Sequence, residues 1–113
     1  MDYKCLIFDV ASEVIKEWPQ KHRDKVNDFL RLLEERQGIL DEPYSRHLAG
    51  KIRELRVNFG KTNYRILYAL VFNKVILILV AFRKNTSKTP KEEIKKAEEL
   101  LNIYLNKNQK YEY

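Results

Sequence analysis

Positively charged side chains that could bind phosphate are concentrated in residues 46–91. This segment holds eleven Lys or Arg residues and a single acid, Glu54, so its formal charge is +10, whereas the whole chain of 113 residues carries +6. Such a cluster repels itself, and a polyanion with closely spaced phosphates relieves that repulsion. Arginine also binds phosphate with a planar, two-pronged set of N–H donors. The charge distribution therefore favours nucleic acid as the partner of this segment.

A solvated surface is the alternative interpretation of the same charges. Lysines at strand edges protect a sheet from aggregation and need no ligand. Arg65 fits this alternative poorly, because in the predicted strand Tyr64–Phe72 it shares one face with Leu67, Ala69 and Val71. An arginine among apolar neighbours indicates a partly enclosed site.

Tyrosines close to Arg65 offer a second kind of nucleic-acid contact. Tyr64 and Tyr68 flank Arg65 along the same strand, and tyrosine rings near cations can stack unpaired bases. The alternative is that these rings, together with Ile66 and Leu70, form one packed face of the sheet. We assign Tyr68 as a candidate stacking residue with that alternative left open.

The remaining side chains supply none of the common catalytic sets. His22 and His47 are far apart and lie in no Cys/His/Asp cluster, so we predict no metal site and no cofactor. The three glycines form no phosphate-binding loop. Cys5 has no second cysteine to pair with, and its apolar surroundings favour a buried thiol.

Cations alone are enough to cleave RNA, because the 2′-hydroxyl of the substrate is an internal nucleophile. The enzyme must align that hydroxyl with the scissile phosphate, move protons and stabilise the charge that develops on the phosphorane. Arginine and lysine can supply the electrostatic part. A lysine crowded by other cations has a lowered pKa and could also accept a proton.

Hydrophobic periodicity predicts an α+β domain that positions these residues. We predict a strand at Tyr3–Val10, helices at Ser12–Trp18 and Lys21–Gln37, a loop at Asp41–Gly50, strands at Ile52–Phe59, Tyr64–Phe72 and Val75–Phe82, and a final helix. Gly38 is expected to form a left-handed cap after the second helix. The final helix starts with a predicted capping box at Thr89-Pro90-Lys91-Glu92. The order gives one domain over residues 1–113, with a mainly antiparallel four-stranded sheet and a fraying tail at 106–113.

Hydrophobic segments are too short for export or membrane insertion. The first ten residues include Asp2 and Asp9, and the longest apolar run, Val75–Phe82, has eight residues. A membrane span needs roughly 20 apolar residues. We therefore expect a cytoplasmic protein without a membrane partner.

Three motifs together resemble one protein family. They are Ile52–Val57 (IRELRV), Asn63–Tyr68 (NYRILY) and Phe82–Pro90 (FRKNTSKTP), and in this order they resemble the phage-derived Gp49-like branch of the RelE/HigB toxins. The likeness covers most of the chain, because the early helices and the final helix follow the family's order. It implies a RelE-like fold of strand, helix, helix, three strands and helix.

The resemblance also implies a function and a site. It implies a type II toxin that is a metal-independent mRNA endoribonuclease, either ribosome-associated, which we favour, or free. A HigA-like helix-turn-helix antitoxin neutralises it, and it contacts DNA only through the antitoxin complex. Carried over by position, Arg65 and Lys84 are the catalytic candidates. Arg56, Arg83 and Lys88 are candidates for phosphate binding. Trp18 and Leu32 lie off the inward stripe of the early helices, so we expect them to help anchor the antitoxin. The alternative that Trp18 closes the core under the second helix is left open.

One departure from the family pattern leaves two functions open. The family often has two adjacent lysines before the threonine, but here the second position is Asn85, and Arg83 could supply the missing charge. The alternative function is a non-catalytic RNA-binding toxin homologue that uses the same basic groove. A DNA-binding regulator is disfavoured because no helix-turn-helix is visible in the sequence.

Overall fold

The chain folds as an α+β domain, which confirms the predicted fold class. The computed structural model describes residues 2–109. Its main elements are β1 (Lys4–Ile7), α1 (Asp9–Ile15), α2 (Gln20–Glu35), β2 (Ser45–Ala49), β3 (Ile52–Phe59), β4 (Thr62–Val71), β5 (Val75–Arg83) and α3 (Lys91–Gln109). None of the helices in this part of the chain is both long enough and apolar enough to cross a membrane.

The sheet has five strands where the sequence predicts four. The strand order is β1-β5-β4-β3-β2, with β1 parallel to β5 and all other neighbours antiparallel. The additional strand, β2, lies inside the segment 41–50 that the sequence predicts to be a loop. It is a short edge strand with a register shift after His47, and its polar residues show no hydrophobic alternation. A five-residue edge strand of this kind leaves little signal in the sequence.

The ends of several elements differ from the predicted boundaries. β1 ends at Ile7 and α1 begins at Asp9, so the predicted strand to Val10 extends too far. An acid such as Asp9 in the first helical turn is favourable because it meets the positive end of the helix dipole. α3 continues to Gln109, so residues 106–109 of the segment expected to fray are helical. Residues 110–113 lie outside the described residues.

Helices cover both faces of the sheet, and strand alternation sorts the side chains between them. On the first face, buried residues such as Leu55, Ile66 and Ile78 pack with residues of α1 and α2. On the second face, Leu67 and Leu79 pack with α3. Residues at odd and even positions of β4 therefore belong to different cores. This separation decides which polar residues can meet in one site.

A glycine after α2 provides a test of the packing on the first face. Gly38 has φ +87° and donates its N–H to the Leu33 carbonyl at 2.7 Å, but the left-handed turn begins one residue earlier than predicted, at Gln37 with φ +61°. An added Cβ would lie 2.2 Å from Leu70 Cδ2. We expect Gly38→Ala to lower the free energy of unfolding by about 2–3 kcal/mol. The alanine would be strained at positive φ, and its Cβ would also displace the Leu70 side chain.

Gly60→Ala is the matched control for this substitution. Gly60 also has positive φ, +60°, but an added Cβ would have no heavy atom within 4 Å. Backbone strain alone predicts a loss of about 1–2 kcal/mol. Urea denaturation measures both variants, and equal losses would show that Leu70 moves aside without cost.

Candidate active site

Charged side chains from three adjacent strands meet on the sheet face that α3 covers. In the strand register Arg46 of β2 lies opposite Glu54 of β3, and Arg56 of β3 lies opposite Arg65 of β4. Side chains at paired positions point to the same side of a sheet. The register therefore places these four residues on one face, next to the apolar core under α3.

Glu54 is the only acid in the basic segment and lies at the centre of this group. Its side chain is fully buried, and Oε1 accepts a hydrogen bond from Arg56 Nε at 3.0 Å and lies 3.7 Å from Arg46 Nε. Oε2 accepts a hydrogen bond from the Thr89 hydroxyl. Burial by itself raises the pKa of Glu54, but the hydrogen bonds from Thr89 and Arg56 and the nearby arginine charges lower the pKa overall. Glu54 is therefore a carboxylate at neutral pH.

Arg65 is almost completely buried beside this carboxylate. Its Nη1 donates to Asn58 Oδ1 at 3.0 Å and to the Tyr64 carbonyl at 2.8 Å, while its buried Nε has no hydrogen-bond partner. Burial, and then the charges of Arg56 and Arg46, lower the pKa of Arg65 against the opposing effect of Glu54. The group remains a cation, because arginine is not deprotonated in proteins. A cation held among like charges favours the approach of an anion.

Lys84, the second catalytic candidate, lies at the same end of the sheet. It directly follows β5 and its backbone N–H donates to the Asn63 carbonyl at 2.7 Å. Partial burial, followed by the charges of Arg65, Arg56 and Arg46, lowers the pKa of Lys84, and Glu54 opposes that shift. The charge of Arg65 therefore acts on Lys84.

The other basic candidates are placed differently from one another. Arg56 belongs to the group through its bond to Glu54. Lys88 is exposed and directly precedes Thr89. Arg83 lies opposite Tyr64 in the register, so strand alternation places it on the face away from Arg65.

Tyr68 is unsuited to base stacking, which corrects the assignment made from the sequence. Its ring is fully buried in the core under α1 and α2, on the opposite face from Arg65. Its hydroxyl donates to the Gly38 carbonyl at 2.7 Å and accepts from Arg53 Nε at 3.2 Å. Tyr68 is a core residue, because a ring enclosed in this way offers no face to a base.

Three contributors to the site are not identified by the sequence patterns. Arg46 is overlooked because its strand is predicted to be a loop. The sequence marks Glu54 only as the lone acid of the basic segment. Glu54 and Arg56 are two residues apart in a strand, however, and this spacing predicts that they lie on the same face of the sheet. Thr89 is predicted to cap α3, but its hydroxyl donates to Glu54 and the helix begins at Lys91. The predicted capping box is therefore wrong.

The histidines take part in contacts away from this group. His22 Nδ1 is hydrogen-bonded to the Tyr64 hydroxyl at 2.6 Å, and His47 Nε2 to the Gly50 carbonyl at 2.8 Å. Within residues 2–109, no group of three or more His, Cys, Asp or Glu side chains could hold a metal ion.

Four cations around one carboxylate leave the group with a net positive charge. Arg46, Arg56, Arg65 and Lys84 contribute four positive charges and Glu54 one negative charge, which leaves +3. The partly enclosed sheet face excludes some of the water that would screen these charges. Such an arrangement can bind a phosphodiester and stabilise additional negative charge on its oxygens.

Sequence comparison identifies one matching family. The family described as "Phage derived protein Gp49-like" matches residues 13–102, which is most of the chain. A search of curated proteins returns no significant match.

Solved structures with a similar fold are toxins of the RelE type. The toxin–antitoxin complex RelBE2 from Mycobacterium tuberculosis matches with a TM-score of 0.59 and 16% identity, covering 74% of this chain and 100% of that one. A free mutant of the E. coli toxin RelE matches at 0.62 and 19%, covering 84% and 97%. The archaeal RelE–RelB complex from Pyrococcus horikoshii matches at 0.54 and 24%, covering 72% and 93%. At these identities the likeness is one of fold, and it confirms the expected RelE-like architecture.

Proposed function

Because the chain belongs to the phage-derived Gp49-like family of the RelE/HigB superfamily, we propose that it is the toxin of a type II toxin–antitoxin system and that it cleaves mRNA. The observation that carries the proposal is the cationic group on the α3 face, in which the buried Arg65 lies beside Arg56 and shares its environment with Lys84. The RelE-like fold supports the same assignment.

The proposed reaction needs no nucleophile from the protein. The 2′-oxygen of RNA attacks the adjacent phosphorus, a bond from phosphorus to the 2′-oxygen forms, and the bond to the 5′-oxygen breaks. Arg65 and Arg56 stabilise the negative charge that builds up on the non-bridging oxygens. Lys84 in its neutral form accepts the 2′-hydroxyl proton, and the leaving 5′-oxygen takes up a proton from solvent. The products are a 2′,3′-cyclic phosphate and a 5′-hydroxyl, formed without a metal ion.

An antitoxin is the proposed protein partner. The matched structures from Mycobacterium tuberculosis and Pyrococcus horikoshii are toxin–antitoxin complexes. We propose that a HigA-like helix-turn-helix protein covers the basic group of this chain and carries any contact with DNA. The proposed setting is the cytoplasm, with mRNA cleaved on the ribosome.

The proposed anchors for that antitoxin are apolar side chains in the early part of the chain, where Trp18 and Leu32 are both partly buried. Trp18 is half-buried and stacks on Tyr64 with ring centroids 4.0 Å apart, so it mainly closes the core. Exposed apolar side chains of β1 and α1 are better suited to a contact, namely Leu6, Ile7 and Val10. Charge complementarity would speed the encounter, and apolar anchors such as these would slow dissociation.

Expression of the protein alone in bacteria tests the proposed function. We expect protein synthesis to stop and transcripts to be cut internally with 5′-hydroxyl ends, because no antitoxin covers the cationic group. Pulse labelling and mapping of transcript ends measure both effects. Co-expression with a cognate HigA-like antitoxin should restore growth.

Two controls separate cleavage from binding. Arrest with intact transcripts would favour the non-catalytic RNA-binding homologue, and normal growth at high expression would contradict the toxin assignment. Purified protein incubated with RNA and with translating ribosomes then separates free cleavage from ribosome-dependent cleavage.

A further inference from the structure

We propose that Glu54 is a positioning residue, which holds the arginines of β2 and β3 and the segment 84–90 in one arrangement before RNA binds. The proposal rests on the proposed function, because it assigns Glu54 a role in the same site. It concerns a residue that does not itself touch RNA and that acts through Arg46, Arg56 and Thr89.

The contacts of Glu54 reach three separate parts of the chain. Oε1 accepts from Arg56 on its own strand at 3.0 Å and lies 3.7 Å from Arg46 on β2. Oε2 accepts from Thr89, which lies 35 residues further along the chain. Both carboxylate oxygens are thus in use, and removal of this one side chain would release all three partners.

Burial makes a direct catalytic role for Glu54 unsuitable. The side chain has no exposed surface, and the 2′-hydroxyl of a bound RNA could not reach its oxygens. Its hydrogen bonds also lower its pKa, which makes it a weak proton acceptor. A role through other residues remains, namely fixing their positions and reducing their mutual repulsion.

The position of Glu54 in the sheet indicates that this carboxylate has a functional role rather than a packing role. Glu54 lies opposite Leu67, a fully buried apolar residue of β4, so an apolar side chain would suit the surrounding core. Burying a carboxylate costs free energy that its ion pairs only partly offset. Without Glu54, the positive charges of Arg46, Arg56 and Arg65 would face one another with no opposite charge between them.

The bond to Thr89 also fixes the segment that carries the site's lysines. Residues 84–90 connect β5 to α3 and include Lys84 and Lys88. One end is held to the sheet by the backbone bond from Lys84 to Asn63, and the other by the bond from Thr89 to Glu54. Glu54 thereby sets where these lysines lie relative to Arg65.

Glu54→Gln is the decisive variant, because it keeps the shape and removes the charge. We expect single-turnover cleavage to slow by about 10- to 100-fold, since small displacements of positioning groups cost about that much. Binding of a 2′-deoxy RNA of the same sequence should be unchanged or tighter, because the site becomes more positive. Glu99→Gln, at an exposed position of α3, makes the same charge change and should leave both measurements unaltered.

Each outcome of that comparison decides the proposal. A slower rate with retained affinity supports positioning. Cleavage as fast as in the parent would overturn it. Parallel losses of rate, affinity and melting temperature would also overturn it, since they would mean that Glu54 only stabilises the fold.

Limited trypsin digestion gives a second test that needs no RNA cleavage. We expect Glu54→Gln and Thr89→Val to be cut several-fold faster after Lys84 and Lys88, as followed by mass spectrometry, and Glu99→Gln to match the parent. Unchanged cutting in both variants would overturn the anchoring of segment 84–90. If the parent protein cleaves neither free RNA nor mRNA on translating ribosomes, the proposed function fails, but this digestion still decides whether Glu54 holds the segment.

Discussion

We expect Arg65→Ala to slow RNA cleavage by about 100- to 1000-fold and to abolish toxicity, because a donor that stabilises the developing oxyanion contributes mainly in the transition state. Arg65 is almost completely buried beside Arg56, so no neighbouring side chain can take its place without rearrangement. Single-turnover rates, measured with a synthetic RNA that is free or bound to translating ribosomes, report this loss directly.

Two further variants show whether the loss comes from the site. Arg65→Lys keeps one positive charge but loses the planar pair of donors, and we expect it to recover only a small part of the rate. Arg31→Ala removes an exposed arginine of α2 that pairs with Asp28, and should cleave at the parent rate. Full toxicity of Arg65→Ala, in a protein that unfolds at the parent temperature, would contradict the assignment.

Strands with clear alternation are closely predictable from the sequence. The predicted bounds of β3, Ile52–Phe59, match the observed ones because its hydrophobic residues repeat with period two. Alternation along β4 likewise assigns Arg65 to the opposite face from Tyr64 and Tyr68, and the two cores confirm that separation. β2 could not be found in this way, because its pairing with β3 depends on backbone hydrogen bonds rather than on a hydrophobic pattern.

The sequence identifies the basic residues of the candidate site but not the contacts that they make. Charge and motif indicate Arg65, Lys84 and Arg56. The strand register pairs Arg56 with Arg65, and the backbone bond from Lys84 to Asn63 brings Lys84 to the same end of the sheet. Tyr68 was selected for its nearness to Arg65 along the strand, but a separation of three residues reverses the face of the sheet. The contact between Glu54 and Thr89 joins residues 35 positions apart, and no local pattern specifies such a pair.

We expect Lys84→Ala to slow cleavage by about 100- to 10,000-fold, the range typical of a lost general acid or base. Partial burial first, and then Arg65, Arg56 and Arg46, lower the pKa of Lys84 from its usual value. A lowered pKa increases the fraction of neutral amine near neutral pH, and the neutral amine is the form that accepts the 2′-hydroxyl proton. Rates measured between about pH 6 and pH 9 with the parent and the variant test this role.

The direction of the pH dependence follows from that assignment. Below the pKa of Lys84 the neutral fraction rises with pH, so the parent rate should rise with pH, while Lys84→Ala should lose that rise. Lys84→Arg keeps the charge but cannot release a proton in this range, so it should be nearly as slow as Lys84→Ala. A fast Lys84→Arg variant would show that Lys84 contributes only its charge. Since Glu54 opposes the lowering of the pKa of Lys84, Glu54→Gln should shift this rise in rate to lower pH.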